Sequence, residues 1–131
     1  MKTNTIITSD FSKIPTIQYH KTYLESIFLN LITNAIKYRS PERDPVIHLK
    51  TDIINDRIRL SFTDNGLGID LGKHGHKLFG LNKTFHRHPD AKGVGLYLTK
   101  IQVETMGGHI YAESEVGKGT VFTIIFNKFK E

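Results

Sequence analysis

From Arg57 to Asp64 the chain alternates strictly: Ile58, Leu60 and Phe62 fall on one side, Arg57, Arg59 and Ser61 on the other. A period of two belongs to an extended strand, so this segment has one buried face and one wetted face. The same alternation carries Asp64 onto the buried face. A carboxylate at the core-facing end of a strand is costly unless something hydrogen-bonds it. Asn65-Gly66-Leu67-Gly68 follows at once, and glycines there let the backbone turn sharply and approach a ligand closely. Two readings stay open on these residues alone. One is an acceptor for an exocyclic amine beside a ligand-cradling loop; the other is an aspartate that ends a strand and caps a glycine turn.

The elements around this strand set the fold class. Val46–Ile54 is rich in isoleucine and leucine and forms a hairpin with Arg57–Asp64 through Asn55-Asp56, residues with turn chemistry. Leu24, Ile27, Phe28, Leu31 and Ala35 recur at helical spacing within His20–Arg39, and Ser40-Pro41 ends that helix. A second helix spans Gly95–Met106 and is closed by Gly107-Gly108. Thr3–Thr8 reads as a short strand, and Ile110–Glu113 and Thr120–Phe126 as strands around Gly117-Lys118-Gly119. Asn65–Lys92 is long for a loop in a compact domain, with room for a short helix at Gly72–Leu81. Helices interspersed with hairpins exclude an all-parallel sheet. The expected fold is α/β: a two-layer sandwich with one mixed, mostly antiparallel sheet of about five strands packed against about three helices.

A chain of 131 residues with 38% hydrophobic side chains makes one domain with one core. The absence of cysteine excludes disulfide scaffolds, cysteine nucleophiles and thiolate zinc sites. No apolar run approaches the roughly 20 residues of a spanning helix, and Met1–Asp10 lacks a signal-peptide core. A soluble, cytoplasmic domain is expected, of a parent protein that is itself open to membrane anchoring. The net charge of +5 suits an anionic ligand. The basic residues are scattered without interleaved aromatics, which argues against nucleic acid.

Asn30 and Asn34 lie four residues apart and share a helix face that flanks the apolar stripe. Amide oxygens are hard ligands suited to Mg²⁺. Lys37 and Tyr38, one turn on, offer a cation and a hydroxyl; a solvated polar edge is the other reading. Gly93-Val94-Gly95-Leu96 places glycines just before a helix, whose first N–H groups can receive a phosphate. Neither a dinucleotide-binding fingerprint nor a P-loop fits that spacing. His74-Gly75-His76 and His86-Arg87-His88 suggest metal binding. Asp70 and Asp90 are the only carboxylates in that segment, so a polar lid is preferred.

Four boxes occur in order: Asn30-Leu31-x-x-Asn34-Ala35, Asp64-x-Gly66-x-Gly68, Gly93-x-Gly95-Leu96 and Gly117-x-Gly119-Thr120. Over residues 20–127 the sequence resembles the ATP-binding domain of sensor histidine kinases, within the wider group of gyrase, mismatch-repair and heat-shock chaperone ATPases. Met106-Gly107-Gly108-His109-Ile110 and Glu115 through Thr120 look like the kinase branch. The resemblance implies that ATP and Mg²⁺ bind. Asn34 would hold the Mg²⁺, Asn30 would support it or the phosphates, and Lys37 and Tyr38 would contact phosphate or ribose. Asp64 would accept from the adenine amino group, with Thr120 assisting through its hydroxyl. Gly66 and Gly68 would let the backbone pass beside the base, Gly93, Val94, Gly95 and Leu96 would receive the phosphates, and residues 65–92 would form a lid.

The family often carries an aromatic where this chain has Asn82 and an arginine where it has Thr84. Lys83, Arg87 or Lys92 supplies the missing cation, or the contact between lid and phosphate is shifted or weaker. None of the seven histidines has the sequence context of a phosphoacceptor. The resemblance therefore implies a catalytic domain whose acceptor histidine lies on a separate dimerisation domain, with a response regulator downstream. The parent is expected to be a homodimer and this domain a monomer, with no side chain assigned as a general base. The alternatives are a nucleotide-binding module without phosphotransfer and an anti-sigma-type serine kinase.

Overall fold

The computed structural model describes residues 4–14, 17, 20–75, 78–79 and 95–128. Its elements in chain order are β1 (Ile6–Asp10), α1 (Lys21–Lys37), β2 (Val46–Ile54), β3 (Arg57–Asp64), α2 (Leu71–His74), α3 (Gly95–Thr105), β4 (His109–Glu115) and β5 (Gly119–Lys128). The five strands form one sheet in the order β1-β2-β3-β5-β4. β1 runs parallel to β2, and the other pairs are antiparallel. The sheet is thus mixed and mostly antiparallel, as expected. α1 supplies the crossover that a parallel pair requires.

Local chemistry accounts for most of the element ends. His20 caps α1, its Nδ1 accepting from Tyr23 N at 3.2 Å. The β2–β3 hairpin turns on Asn55 and Asp56 with φ of 49° and 64°, the left-handed pair that a two-residue hairpin loop demands. α3 ends in a Schellman arrangement: Gly108 N donates to Val103 O at 3.0 Å and Gly107 N to Glu104 O at 2.9 Å.

Two elements differ from the sequence reading. The first strand is Ile6–Asp10 rather than Thr3–Thr8, because its position is set by parallel register against Val46–Lys50. All five of its residues are exposed, so it carries no burial pattern to read. The short helix within Gly72–Leu81 is reduced to α2, four residues capped by Asp70. Glycines at 72 and 75 leave little propensity to extend it, and residues 76–77 and 80–81 lie outside the described ones.

The core lies between one sheet face and the helices. Ile27, Leu31 and Ala35 of α1, with Leu96 and Val103 of α3, join Ile47, Leu49, Ile58, Leu60, Phe62, Ile110, Phe122, Ile124 and Phe126 from the sheet. Arg57, Arg59, Ser61 and Thr63 are on the opposite face. No helix among the described residues is long and apolar enough to cross a membrane.

Candidate functional site

β3 leaves the core at Asp64, where β5 and the end of α1 meet it. β5 lies in register with it, Thr120 directly opposite. The end of α1 arches over the following loop, with Tyr38 O accepting from Leu67 N at 3.0 Å. Gly95, the first residue of α3, lies against Asn30 of α1: a Cβ added there would sit 3.9 Å from the Asn30 amide carbon. The C-terminal half of α1 and the N-terminus of α3 therefore open on the same end of the sandwich.

The Asp64 carboxylate is half-buried. Its Oδ1 accepts from Gly66 N at 2.9 Å and from Thr120 N at 3.2 Å. Among the described residues both of its hydrogen bonds fall on this oxygen, and no cation pairs with it. Burial raises its pKa above the usual aspartate range, opposed by the two backbone N–H groups. Oδ2 is left as an acceptor.

Thr120 is buried, its hydroxyl 2.8 Å from that of Ser114. Ser114 Oγ accepts from Ile69 N and donates to Gly119 O, each at 2.8 Å. A hydroxyl has one proton, so toward Thr120 Ser114 accepts, and the Thr120 lone pairs face outward. A cleft of about 370 Å³ runs along the β4–β5 turn, lined by Glu113, Glu115, Lys118 and Val121 as well as by Asp64, Ser114 and Thr120. A second cavity of about 350 Å³ lies at the far end of the sheet among Phe11, Phe28, Ile58 and Phe126. Its lining is apolar, with Thr51 its one hydroxyl among the described residues, so the chemistry sits at the Asp64 end.

The expected glycine positions are explained by the protein's own backbone. A Cβ on Gly68, whose φ is 76°, would lie 2.1 Å from Glu115 O; one on Gly66 would lie 2.7 Å from Tyr38 O. These residues let three chain segments close on one another around Asp64.

Asn30 has a defined orientation. Thr99 Oγ1 donates its proton to Gly95 O at 2.8 Å, so at 3.3 Å from Asn30 it accepts from the amide NH₂. The Asn30 carbonyl oxygen is thereby left for another partner. Asn34 lies one turn on, half-buried. Lys37 closes α1, and Tyr38 is its C-cap, with burial raising the phenol pKa. Leu96 buries its side chain in the core, so its offering to a ligand is its N–H in the first turn of α3. Lys83, Arg87, Gly93 and Val94 lie outside the described residues, as do Asn82, Thr84, Lys92 and most of the expected lid.

Sequence reading missed Thr99, Ser114 and Arg43. Arg43 Nε donates to Asn65 O at 2.6 Å, and its Nη2 donates to Gly66 O and Gly117 O, each at 2.9 Å. Nothing local in Pro41-Glu42-Arg43-Asp44 signals such a set of partners.

Comparison with known proteins shows the family of the chain. Residues 20–130 match the family described as histidine kinase-, DNA gyrase B-, and HSP90-like ATPase. The chain belongs to this family. Cyanobacterial phytochrome A of Nostoc sp. is 36% identical over 83% of this chain and 14% of its own length. The signal transduction histidine-protein kinase ArlS of Staphylococcus haemolyticus is 34% identical over 88% of this chain and 26% of its own. The chain thus spans roughly a seventh to a quarter of the length of these relatives. Among solved structures, the mycobacterial sensor histidine kinase MprB superposes with a TM-score of 0.75 at 22% identity, covering 93% of this chain and 81% of that one, which shows a shared fold. Full-length ShkA, solved in complex with AMPPNP, gives a TM-score of 0.75 at 27% identity over 94% of this chain and 25% of its own. Within the ATPase family, this chain matches the catalytic domains of sensor histidine kinases.

Proposed function

We propose that this domain binds Mg-ATP at the Asp64 end of the sandwich and donates the γ-phosphoryl group to a histidine on another domain of the same protein. The observation that carries the reading is the Asp64 carboxylate, withdrawn from water, without a cation among the described residues, and held on one oxygen by two backbone N–H groups. Such a group accepts from a neutral N–H donor in a plane, as an adenine amine provides. Thr120, beside it, presents lone pairs to the same edge of the base or to a bridging water.

The C-terminal half of α1 and the first turn of α3 fit triphosphate and Mg²⁺. Asn30 offers a carbonyl oxygen whose amide protons are engaged elsewhere, and Asn34 offers a second amide one turn on. Hard oxygen donors of this kind suit Mg²⁺, which keeps waters and binds through phosphates as well. Bound there, the ion would neutralise phosphate charge. Asn34 would hold it, Asn30 would support it, and Lys37, Tyr38 and the first N–H groups of α3, at Gly95 and Leu96, would face the phosphates. Gly93 and Val94 precede that helix, and Lys83, Arg87 or Lys92 would supply the lid's cation to the phosphates. Positioning and charge neutralisation supply most of the rate in phosphoryl transfer, consistent with the absence of an evident general base among the described residues.

On this reading residues 20–127 are one catalytic domain with a lid at 65–92, cytoplasmic and monomeric by itself. Its partners are a phosphoacceptor dimerisation domain and a response regulator, in a homodimeric parent. Calorimetric titration should show ATP binding that strengthens with Mg²⁺ and exceeds GTP binding tens-fold. Incubation with γ-labelled ATP should leave no acid-labile label on the chain until a histidine-bearing helical domain of its parent is added. Stoichiometric phosphohistidine on the chain alone would overturn the assignment of the acceptor to another domain. Binding with no transfer to any added acceptor would convert the protein into a nucleotide sensor.

A further inference from the structure

Arg43 stands between α1 and β2, outside all four motifs, and it forms no ion pair among the described residues. Its guanidinium instead faces three backbone carbonyls. Two, Asn65 O and Gly66 O, belong to the loop after Asp64; the third, Gly117 O, belongs to the β4–β5 turn. In a trans peptide the C=O and the N–H point in opposite directions. The peptide joining Asn65 to Gly66 therefore aims its carbonyl at Arg43 and its N–H at Asp64 Oδ1, at 2.6 Å and 2.9 Å. The next peptide repeats the pattern, with Gly66 O on Arg43 and Leu67 N on Tyr38 O. A charged donor on the carbonyl polarises the peptide and strengthens the bond its N–H makes. Gly117 N donates to Leu67 O at 2.7 Å, so the loop is gripped from both sides.

We propose that Arg43 is a positioning residue for nucleotide selection: through the Asn65–Gly66 peptide it fixes the Asp64 carboxylate so that Oδ2 meets the adenine amine. The proposal rests on the nucleotide reading above. Lysine keeps the charge at this position but lacks the rigid fork that reaches three carbonyls, which makes Arg43→Lys the decisive variant and Arg43→Ala its companion.

The test pairs titration with ATP and GTP against the Gly66 amide proton resonance, whose shift and exchange rate report its bond to Asp64. Arg43→Lys is expected to weaken ATP binding about tenfold, to lower the ATP-to-GTP preference, and to move the Gly66 resonance while speeding its exchange. Exchange at Ile27 and Leu31 should stay as in the wild type. A merely structural role would lower the unfolding midpoint but leave the preference and the Gly66 resonance alone, and that result overturns the proposal. So does a lysine variant that binds ATP like the wild type. If the wild-type chain binds no ATP, the nucleotide reading falls by itself. The Gly66 resonance then still decides, because an unmoved resonance in Arg43→Lys overturns the coupling and a moved one supports it.

Discussion

Asp52 and Asp64 stand on neighbouring strands, both withdrawn from water, and the protein treats them in opposite ways. Asp52 lies on the outer sheet face, in register with Arg59. Arg59 Nε and Nη2 reach its two oxygens at 2.7 Å each. The Arg59 hydrogen bonds hold the Asp52 pKa below the usual range, with burial working against them. Asp64 ends the next strand on the inner face, where burial dominates and raises its pKa. Among the described residues it has neutral N–H partners on one oxygen and no cation. Where a carboxylate only holds strands together, the chain supplies a matched bidentate cation on the facing strand. Where one oxygen is left to an outside donor, the carboxylate is kept in a partly dry place and positioned by backbone. The contrast separates an aspartate engaged on both oxygens from one engaged on a single oxygen, the one proposed above to meet adenine.

The most severe way to break this contrast is to disturb the backbone that holds Asp64. Gly119 has a φ of 136°, and a Cβ there would lie 2.0 Å from Asp64 O. Gly119→Ala should cost about 3 kcal/mol or more in denaturant unfolding, since a strand backbone cannot step aside. Gly117→Ala, with a φ of 84° and open space around it, should cost only about 1–2 kcal/mol. Equal costs would mean that the Asp64 end is not closely packed.

Exchanging carboxylate for amide at each position tests the division of roles. Asp64→Asn should weaken ATP binding tens-fold or more while leaving the unfolding midpoint nearly unchanged. Asp52→Asn should lower stability by about 1–3 kcal/mol and leave ATP affinity alone. The contrast fails if both variants change the same quantity.

Acid should also separate the two. For Asp52 the folded pKa is lowered, so its stabilisation is present above the unfolded value and is lost as pH falls through the folded one. For Asp64 the folded pKa is raised, so the ionised native form is the costly one, and this contribution to stability falls as pH rises between the unfolded and folded values. On the proposed reading ATP binding needs the ionised Asp64. Titrations at decreasing pH should therefore show nucleotide affinity falling before the stabilisation from Asp52 and Arg59 is lost, and Asp64→Asn should remove that pH dependence of binding.

The smallest effect on the fold is expected on α1. Asn34→Ala should change stability by no more than about 0.5 kcal/mol while removing much of the Mg²⁺ dependence of ATP binding. A variant that keeps the full Mg²⁺ dependence would leave the cation with Asn30 and the phosphates alone.

Much of this was legible in the residues. The alternation of Ile58, Leu60 and Phe62 predicted both β3 and the face of Asp64, and the register opposite Thr120 agrees. The stripe of Ile27, Leu31 and Ala35 predicted α1 and the face it buries. Less legible were β1, whose exposed residues have no burial pattern, and α2, whose glycines left a single turn. The motif glycines were legible as close-approach positions, but it is the Tyr38 and Glu115 carbonyls that approach them.

What the sequence alone determined about this protein is local in origin. A strand or helix imposes its period on neighbours two to four residues apart, and a turn requires particular backbone angles, so elements, buried faces and ordered motifs can be read along the chain. What only the tertiary structure decided is partnership at long range. Arg43 meets Gly117 across 74 residues, Asn30 meets Thr99 across 69, and Thr120 meets Asp64 across 56. A hydrogen bond forms only where donor and acceptor come within about 3 Å with favourable angles, and no spacing along a chain specifies that until the strands and helices have been packed.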